Sequence, residues 1–306
     1  PQTALLFITR MPREIAVILS DKHAGSKLAL LPPTVKLTDP NTEEQYSPTL
    51  NWAQRQFWEW YERDREAVLK WANGDPITLF DMGDPTQGNR FPTELVTTSA
   101  AEQILIALET ARYYAQEKNV QMVYQVVGTD VHEFGESTAS VLLAKQLEEK
   151  HKHLKVQVLQ HGLKAVDGVT FDVAHHGPSG GSRDWLRGNV LRLYAQSIMD
   201  GDLGAGRTPP QVILRGHYHE YVSEVVTRRH HETRAMILPS WQWPNIHALK
   251  VAKSPTAFSV GTVALAVENG EIIGRPWVSL HTVDLRTKQA SSHRSYPEDG
   301  KRSRKR

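Results

Sequence analysis

The sequence predicts an α/β fold, in which short apolar strands alternate with amphipathic helices. In the first half, apolar runs lead into loops rich in Asp, Gly and His, and segments with helical spacing separate them. In the second half, alternating β segments predominate. The 306 residues are 40% hydrophobic and 23% charged, which is typical of a globular protein with a sizeable core.

In the first half, strands are predicted where an apolar run is bounded by turn residues, and helices where apolar residues recur every three to four positions. Ser99 is the candidate N-cap of one helix, and the Asn-Gly-Asp-Pro run at 73–76 stops another. The predicted elements are a strand at 15–19, a Pro-rich loop at 31–48, a helix at 52–71, a strand at 76–80, a helix at 98–117, a strand at 121–127 and a helix at 137–150.

In the second half, β segments follow one another more closely. The predicted elements are strands at 155–159 and 169–174, a helix at 183–199, a strand at 211–214, and β segments at 221–227, 234–238, 258–267 and 271–279. The stretch after residue 285 is polar and charged, so we expect it to be disordered. The predicted organisation is one domain over residues 1–285 and a basic tail over residues 286–306.

Positive charge is concentrated in this tail. Residues 286–306 contain eight Lys or Arg and two acidic residues, although the whole chain has a net charge of only +2. The preceding body is therefore mildly acidic. The tail could bind nucleic acid through release of counterions, and a simply solvated basic run is the alternative.

The composition also excludes several kinds of chemistry. The chain has no cysteine, which excludes disulfides, thiol nucleophiles and Cys-based zinc sites. The longest early apolar run, residues 4–8, is too short for the core of a signal peptide or for a membrane span. We therefore expect a soluble, cytoplasmic protein without a membrane partner.

Five of the predicted strands end in short loops that bear Asp or His. Carboxyl ends of strands in an α/β sheet are where functional sites assemble, and these loops supply only oxygen and imidazole groups. Asp21 and His23 are two residues apart, so strand alternation predicts that they point to one face. The loops carry Asp21 and His23, Asp84, Asp130 and His132, His175 and His176, and His217 and His219.

These five blocks resemble, in order, those of the calcineurin-like metallophosphoesterase superfamily, including phage-encoded members. The superfamily reads D-x-H, G-D, G-N-H, an isolated His often followed by a second, and G-H-x-H. Here the blocks stand as Asp-Lys-His at 21–23, Gly-Asp at 83–84, Gly-Thr-Asp-Val-His at 128–132, His-His at 175–176 and Gly-His-Tyr-His at 216–219. The resemblance covers residues 15–221. The third block departs from the G-N-H motif of the superfamily, because Thr129 stands in place of the Asn and two residues intervene before His132.

The resemblance implies a layered α-β-β-α sandwich of two mixed sheets with flanking helices. It also implies hydrolysis of a phosphate ester by a hydroxide that bridges two divalent metal ions. Mn²⁺ is the first choice, with Fe or Zn²⁺ as alternatives, because ligand softness does not discriminate among them.

The resemblance further assigns roles to individual residues. Asp84 would bridge the two metals, with Asp21, His23 and His219 on one metal and His175 and His217 on the other. Thr129 or Asp130 would take the place of the missing Asn, which would weaken the second metal site. His132 is the candidate general acid. Independently of the resemblance, Arg90 and Arg215 lie near the motif loops, and together with His176 they are candidates for substrate binding; ordinary surface positions are the alternative for the arginines.

The substrate is left open by the sequence. Phosphodiesters of the nucleic-acid type are favoured by the basic tail, and a phosphomonoesterase or a protein phosphatase is the alternative. A noncatalytic scaffold would predict ligand losses throughout, whereas only the third block is altered. A metallo-β-lactamase-type hydrolase is disfavoured because its His-x-His-x-Asp-His run is absent.

Overall fold

The computed structural model describes residues 13–39, 41–180, 186–244, 258–284 and 289–295. These ranges contain fourteen strands and four α-helices. The strands are β1 (Glu14–Leu19), β2 (Leu37–Thr38), β3 (Gln45–Tyr46), β4 (Ile77–Asp81), β5 (Val120–Val126), β6 (Lys155–Leu159), β7 (His161–Val166), β8 (Val169–Ala174), β9 (Val212–Arg215), β10 (Val222–Arg228), β11 (His231–Ile237), β12 (Val260–Glu268), β13 (Glu271–Asp284) and β14 (Gln289–Ser295). The helices are α1 (Trp52–Ala72), α2 (Ala100–Ala115), α3 (Thr138–Lys150) and α4 (Asn189–Gly204).

The strands form two mixed sheets and one short hairpin. The larger sheet has the order β14-β13-β12-β1-β4-β5-β6, and the smaller sheet has the order β10-β11-β9-β8-β7. β1, β4, β5 and β6 run parallel to one another, as do β8, β9 and β11. Both sheets therefore present several carboxyl ends at one edge, as parallel pairing requires.

The sheets and helices stack in four layers. Alternation along β1 directs Ile15 and Val17 towards α1, α2 and α3 on the outer face, and Ala16 and Ile18 towards the smaller sheet. α4 covers the opposite face of the smaller sheet, where Leu191 packs in a third apolar cluster. This arrangement confirms the predicted α-β-β-α sandwich.

Local signals define where the helices begin. Asn51 and Gln54 form a reciprocal capping box at the start of α1, with both hydrogen bonds at 3.0 Å. Ser99 caps α2 as predicted by accepting from the Glu102 amide, while the Glu102 carboxylate accepts from the Thr38 amide instead of closing a box. No helix in the described ranges is both long and apolar enough to span a bilayer.

Several elements differ from the sequence prediction. The predicted loop at 31–48 contains the β2-β3 hairpin, and β7 was not predicted. The predicted helix at 183–199 is observed as Asn189–Gly204, and residues 183–185 lie outside the described residues.

The prediction of disorder after residue 285 is wrong for Gln289–Ser295. These residues form β14, which pairs antiparallel with β13 from Asp284 to Val278. The side chains described in β14 are exposed, so backbone pairing along the free edge of β13 provides the order that an apolar pattern did not predict. Residues 286–288 and 296–306 lie outside the described residues, and the division at residue 285 stays a prediction.

A buried polar cluster fastens α1 to β13. His281 Nε2 donates to Asp64 Oδ2 at 2.8 Å, and Ser279 Oγ donates to Asp64 Oδ1 at 2.8 Å. The His281 ring stacks on Trp60 with centroids 4.6 Å apart. Asp64, Ser279 and His281 are all fully buried, so each polar atom depends on its partner inside the protein.

Truncation of Asp64 should therefore destabilise the fold. Asp64→Ala leaves the buried His281 and Ser279 donors unpaired, and we expect the free energy of unfolding to fall by about 2 to 4 kcal/mol. Urea denaturation followed by tryptophan fluorescence measures the change. Asp200→Ala is the matched control, because that side chain is 61% exposed on α4. A loss of under about 1 kcal/mol in Asp64→Ala would contradict the role of the cluster.

Candidate metal centre

Five loops meet where the parallel strands of both sheets end. β1, β4 and β5 are parallel neighbours in the larger sheet, and β8 and β9 are parallel neighbours in the smaller one. The loops that follow them carry the five sequence blocks. The residues brought to this edge are Asp21, His23, Asp84, Thr129, Asp130, His132, His175, His176, His217 and His219.

The backbone at these residues has an unusual conformation. Asp21, His23, Asp84, His217 and His219 all have φ between 45° and 74°, in the left-handed region. This conformation costs a non-glycine residue about 1 to 2 kcal/mol, and such residues cluster at functional sites. The expectation that strand alternation aims Asp21 and His23 at one point is wrong. β1 ends at Leu19, and the left-handed backbone at Asp21 and His23, rather than strand alternation, brings the two side chains together.

The loop after β1 is held against the loop after β4. Backbone amides of Asp21, His23 and Ala24 donate to carbonyls of Gly83, Asp84 and Pro85 at 3.1, 2.9 and 3.0 Å, respectively. Both loops thereby continue the parallel pairing of their strands beyond the last strand residue. The distances between the first and second blocks are consequently set by main-chain hydrogen bonds.

A first group of ligand atoms is formed by Asp21, His23 and His219. His219 Nε2 lies 3.1 Å from Asp21 Oδ1 and 3.2 Å from His23 Nε2. His23 Nε2 lies 3.7 Å from Asp21 Oδ1. The other oxygen of Asp21 accepts from Ser20 Oγ and from the His217 amide, which fixes the carboxylate.

A second group is formed by His175, His217 and Thr129. Thr129 Oγ1 lies 3.4 Å from both His175 Nε2 and His217 Nδ1. His175 Nδ1 donates to the Met82 carbonyl at 2.7 Å, so its Nε2 atom is free to face the site.

Asp84 lies between the two groups. Its Oδ2 atom is 3.8 Å from His23 Nε2 in the first group and 3.2 Å from His175 Nε2 in the second. Its Oδ1 atom accepts from the Thr129 amide at 2.6 Å. One oxygen is thus held by the backbone while the other faces both groups, as a bridging carboxylate requires.

The structure distinguishes the two candidates for the missing Asn. Thr129 Oγ1 lies 3.5 Å from Asp84 Oδ2 and belongs to the second group. Asp130 is exposed and is absent from the described clusters of potential ligands. Thr129 therefore has the geometry of a ligand, and Asp130 has not.

The longer third block still brings His132 to the site. Residues Asp130–His132 form one 3-10 turn, which accommodates the two extra residues. His132 Nδ1 donates to the Gln87 carbonyl at 2.6 Å, and Nε2 lies 3.9 Å from Asp84 Oδ2. The ring is partly exposed and meets the His23 ring edge to face at 4.5 Å. An imidazole nitrogen is thus held between the ligand groups and solvent.

The three candidates for substrate binding have different surroundings. His176 is exposed, and its ring lies 4.6 Å from that of His217, beside the second group. Arg90 is also exposed, and its guanidinium lies over the Phe91 ring. The prediction for Arg215 is wrong, because its side chain is fully buried and is occupied by Asp172, Tyr194 and two backbone carbonyls. Arg215 stabilises the smaller sheet and cannot reach a substrate.

The charged groups shift one another's pKa. Burial raises the pKa of Asp84, but the positive charge of His175 outweighs this and holds it below its ordinary value. Burial lowers the pKa of His175, but the carboxylates of Asp84 and Asp21 raise it to about 9. Burial, together with neighbouring imidazoles, lowers the pKa of His23 and of His217 to about 4. At neutral pH both of these imidazoles are uncharged, as metal ligands must be.

Two supporting interactions were not predicted from the sequence. Lys22, between the two ligands of the first block, points into the core and pairs with Asp81, and both side chains are 2% exposed. Glu133 is fully buried and accepts from the Gly128 amide at 2.9 Å and from Ser140 Oγ at 2.7 Å. Lys22 anchors the first loop and Glu133 anchors the third. A Lys within a strand-end motif is expected to be exposed to solvent, so the sequence does not indicate that Lys22 anchors the first loop.

The donor set fits divalent metal ions. The described residues form four overlapping clusters of potential ligands, and Asp84 belongs to two of them. Carboxylate and imidazole groups without thiolate suit Mn, Fe and Zn. His23 and His219 direct nitrogens at each other, which a cation between them would satisfy. Asp21, His23, His219 and Asp84 could hold one ion, and Asp84, His175, His217 and Thr129 could hold a second.

Close packing against Asp84 should make Gly128 indispensable. A Cβ atom at position 128 would lie 2.0 Å from Asp84 Oδ1 and 2.3 Å from the Asp84 amide nitrogen. Gly128→Ala should displace this carboxylate and weaken Mn²⁺ binding at least about tenfold. Equilibrium dialysis with Mn²⁺ and elemental analysis measures the affinity and the number of ions bound.

Gly201→Ala is the control, because a Cβ atom there meets nothing within 4 Å on α4. It should leave Mn²⁺ binding unchanged and should not destabilise the helix. Equal Mn²⁺ binding by both variants would contradict the assigned position of Asp84.

Comparison with known proteins gives matches only among solved structures. No protein-family model matches the chain, and no curated protein matches it. The chain is similar to a metallophosphoesterase from Sphaerobacter thermophilus at 12% identity, over 92% of this chain and 88% of that one, with a TM-score of 0.30.

Two further solved structures are similar to this chain. The sulfate thiohydrolase SoxB of Thermus thermophilus is 13% identical over 87% of this chain and 56% of that one, with a TM-score of 0.35. A Thermotoga maritima protein determined by solution NMR is 18% identical over 53% of this chain and 81% of that one, with a TM-score of 0.27. One of these three neighbours is named a metallophosphoesterase. At these identities no activity is transferred from them.

Proposed function

We propose that this chain is a phosphoesterase that hydrolyses a phosphate ester with two divalent metal ions. The observation that carries the proposal is the position of Asp84 Oδ2, which faces His23 on one side and His175 on the other at 3.8 and 3.2 Å. Two cations bound here would lower the pKa of a water molecule and neutralise charge on the phosphate. Mn²⁺ is the first metal to test.

The residues of the chain would each contribute to this chemistry. Asp84, with one oxygen held by the Thr129 amide, keeps the two ligand groups at a constant separation. Residues 21–24, paired with residues 83–86, hold Asp21 and His23 in place before any substrate arrives. This preorganisation lowers the reorganisation required during the reaction.

The position of the His132 ring supports a role for it as general acid. Its Nδ1–H group is held by the Gln87 carbonyl, so Nε2 is the nitrogen that would donate a proton to a leaving oxygen. His176, exposed beside His217, is in a position to contact a phosphate oxygen from the solvent side.

For the substrate, we propose a phosphodiester of the nucleic-acid type, acted on in the cytoplasm. The support is the basic sequence of residues 286–306, which would attract a polyanion. Phosphomonoesters and phosphoproteins are the alternative substrates. A noncatalytic scaffold is disfavoured because Thr129 offers a hydroxyl at the altered third block.

Loss of the shared carboxylate should abolish activity. Metal-stripped protein resupplied with Mn²⁺ should hydrolyse bis-p-nitrophenyl phosphate, and Asp84→Asn should be at least about 100-fold slower. Asp200→Asn, which changes an exposed side chain on α4, should hydrolyse the ester as fast as the wild type. Cleavage of p-nitrophenyl phosphate alone would favour a phosphomonoesterase. Bound Mn²⁺ without hydrolysis of either ester would favour the scaffold.

The role of His132 can be separated from metal binding by varying the leaving group. Because p-nitrophenolate leaves without a proton, His132→Ala should slow bis-p-nitrophenyl phosphate hydrolysis by less than about tenfold, and diphenyl phosphate hydrolysis by about 100-fold or more. The measurement is kcat/KM for both esters, with Mn²⁺ content determined alongside. His230→Ala, an exposed histidine, is the control. Equal losses for the two esters would rule out proton donation by His132.

A further inference from the structure

A cleft separate from the candidate metal centre opens at the side of the sandwich, between the edges of the two sheets. It has a volume of about 460 Å³, within the range of small-molecule sites. Tyr221 and Arg234 line it from the smaller sheet, and Arg275, Leu280 and His293 line it from the larger one. None of these residues belongs to the metal centre.

The polar groups of this cleft favour an anion. Neither Arg234 nor Arg275 has an ion-pair partner among the described residues, and the lining of the cleft contains no Asp or Glu. The Nε atom of Arg234 is buried and has no hydrogen-bond partner within the described chain. An oxyanion in the cleft would therefore meet two guanidinium groups whose charge no described carboxylate neutralises.

The rest of the lining is suited to a flat or apolar group. Val278 and Leu280 lie on the same face of β13, and their cross-strand partners are Ser295 and His293. Tyr221 and Leu280 also pack against the apolar cluster between the sheets. An aromatic ring and an aliphatic surface therefore lie next to the two arginines.

We infer that this cleft binds a nucleoside phosphate, with the phosphate on Arg234 and Arg275 and the base against Tyr221 and Leu280. Guanidinium groups bind phosphate oxygens in pairs, and bases stack on aromatic side chains. The phosphate could belong to a free nucleotide or to the end of a nucleic-acid strand, because both present the same chemistry. The inference does not depend on the proposed hydrolysis.

The cleft is linked to the metal centre through the backbone. Tyr221 follows the candidate ligand His219 by two residues. The Tyr221 amide donates to Ser259 Oγ at 3.4 Å, and the Ser259 amide donates to the His219 carbonyl at 2.8 Å. A ligand in the cleft would thus be recognised beside the centre, at a site of its own.

Isothermal titration of the full chain tests the inference. The Asp84→Asn background slows any turnover, and the probes are AMP, a 5′-phosphorylated dT octamer and inorganic phosphate. We expect AMP or the octamer to bind, and the double variant Arg234→Gln/Arg275→Gln to weaken that binding at least about 30-fold. The control is Arg192→Gln/Arg207→Gln, which removes the same charge from exposed positions on and just after α4.

Each outcome decides the inference. Binding of AMP that is weakened by the double variant supports a free nucleotide, and binding of the octamer alone supports a strand end. Inorganic phosphate that binds as tightly as AMP would overturn the nucleoside assignment. Absence of binding, or an equal loss in the control variant, would overturn the site. Circular dichroism and thermal unfolding establish that the variants are folded.

Discussion

The candidate metal centre depends on main-chain pairing between the loop after β1 and the loop after β4. Three amides of residues 21–24 donate to carbonyls of residues 83–85, so the two strands continue their parallel ladder into the loops that carry the candidate ligands. The left-handed backbone of Asp21, His23 and Asp84 turns these side chains towards one another. Strain at these residues is held by the hydrogen bonds on either side of them. Ligand placement is therefore a property of the sheet and not of mobile loops.

The sandwich supplies the rigidity that this arrangement needs. Apolar clusters lie on both faces of each sheet, and β1, β4 and β9, which end at the site, are almost entirely buried. Lys22 and Asp81 place an ion pair beneath the first loop, where water is excluded. Because separation of such a pair would leave an uncompensated buried charge, the pair keeps the loop in one position.

The third block differs from the superfamily motif that it resembles, and its structure shows how the candidate site accommodates the difference. Two additional residues before His132 are absorbed by a 3-10 turn, and the buried carboxylate of Glu133 accepts from the Gly128 amide and from Ser140. Thr129 keeps an oxygen 3.4 Å from His175 and His217. A hydroxyl is a weaker ligand than an amide or carboxylate oxygen, so the two metal sites would differ in affinity.

Much of the architecture was predictable from the sequence, because strand and helix periodicity and strand-end motifs are local patterns. These patterns predicted an α/β fold, and the resemblance to the metallophosphoesterases implied its layers and grouped Asp21, His23, Asp84, His175, His217 and His219 in one candidate centre. Only the tertiary structure showed that Thr129, and not Asp130, faces this centre, and that Arg215 is buried against Asp172. It also showed β14, whose order comes from pairing with β13. Side-chain direction and edge pairing depend on contacts between distant segments, which no local pattern encodes.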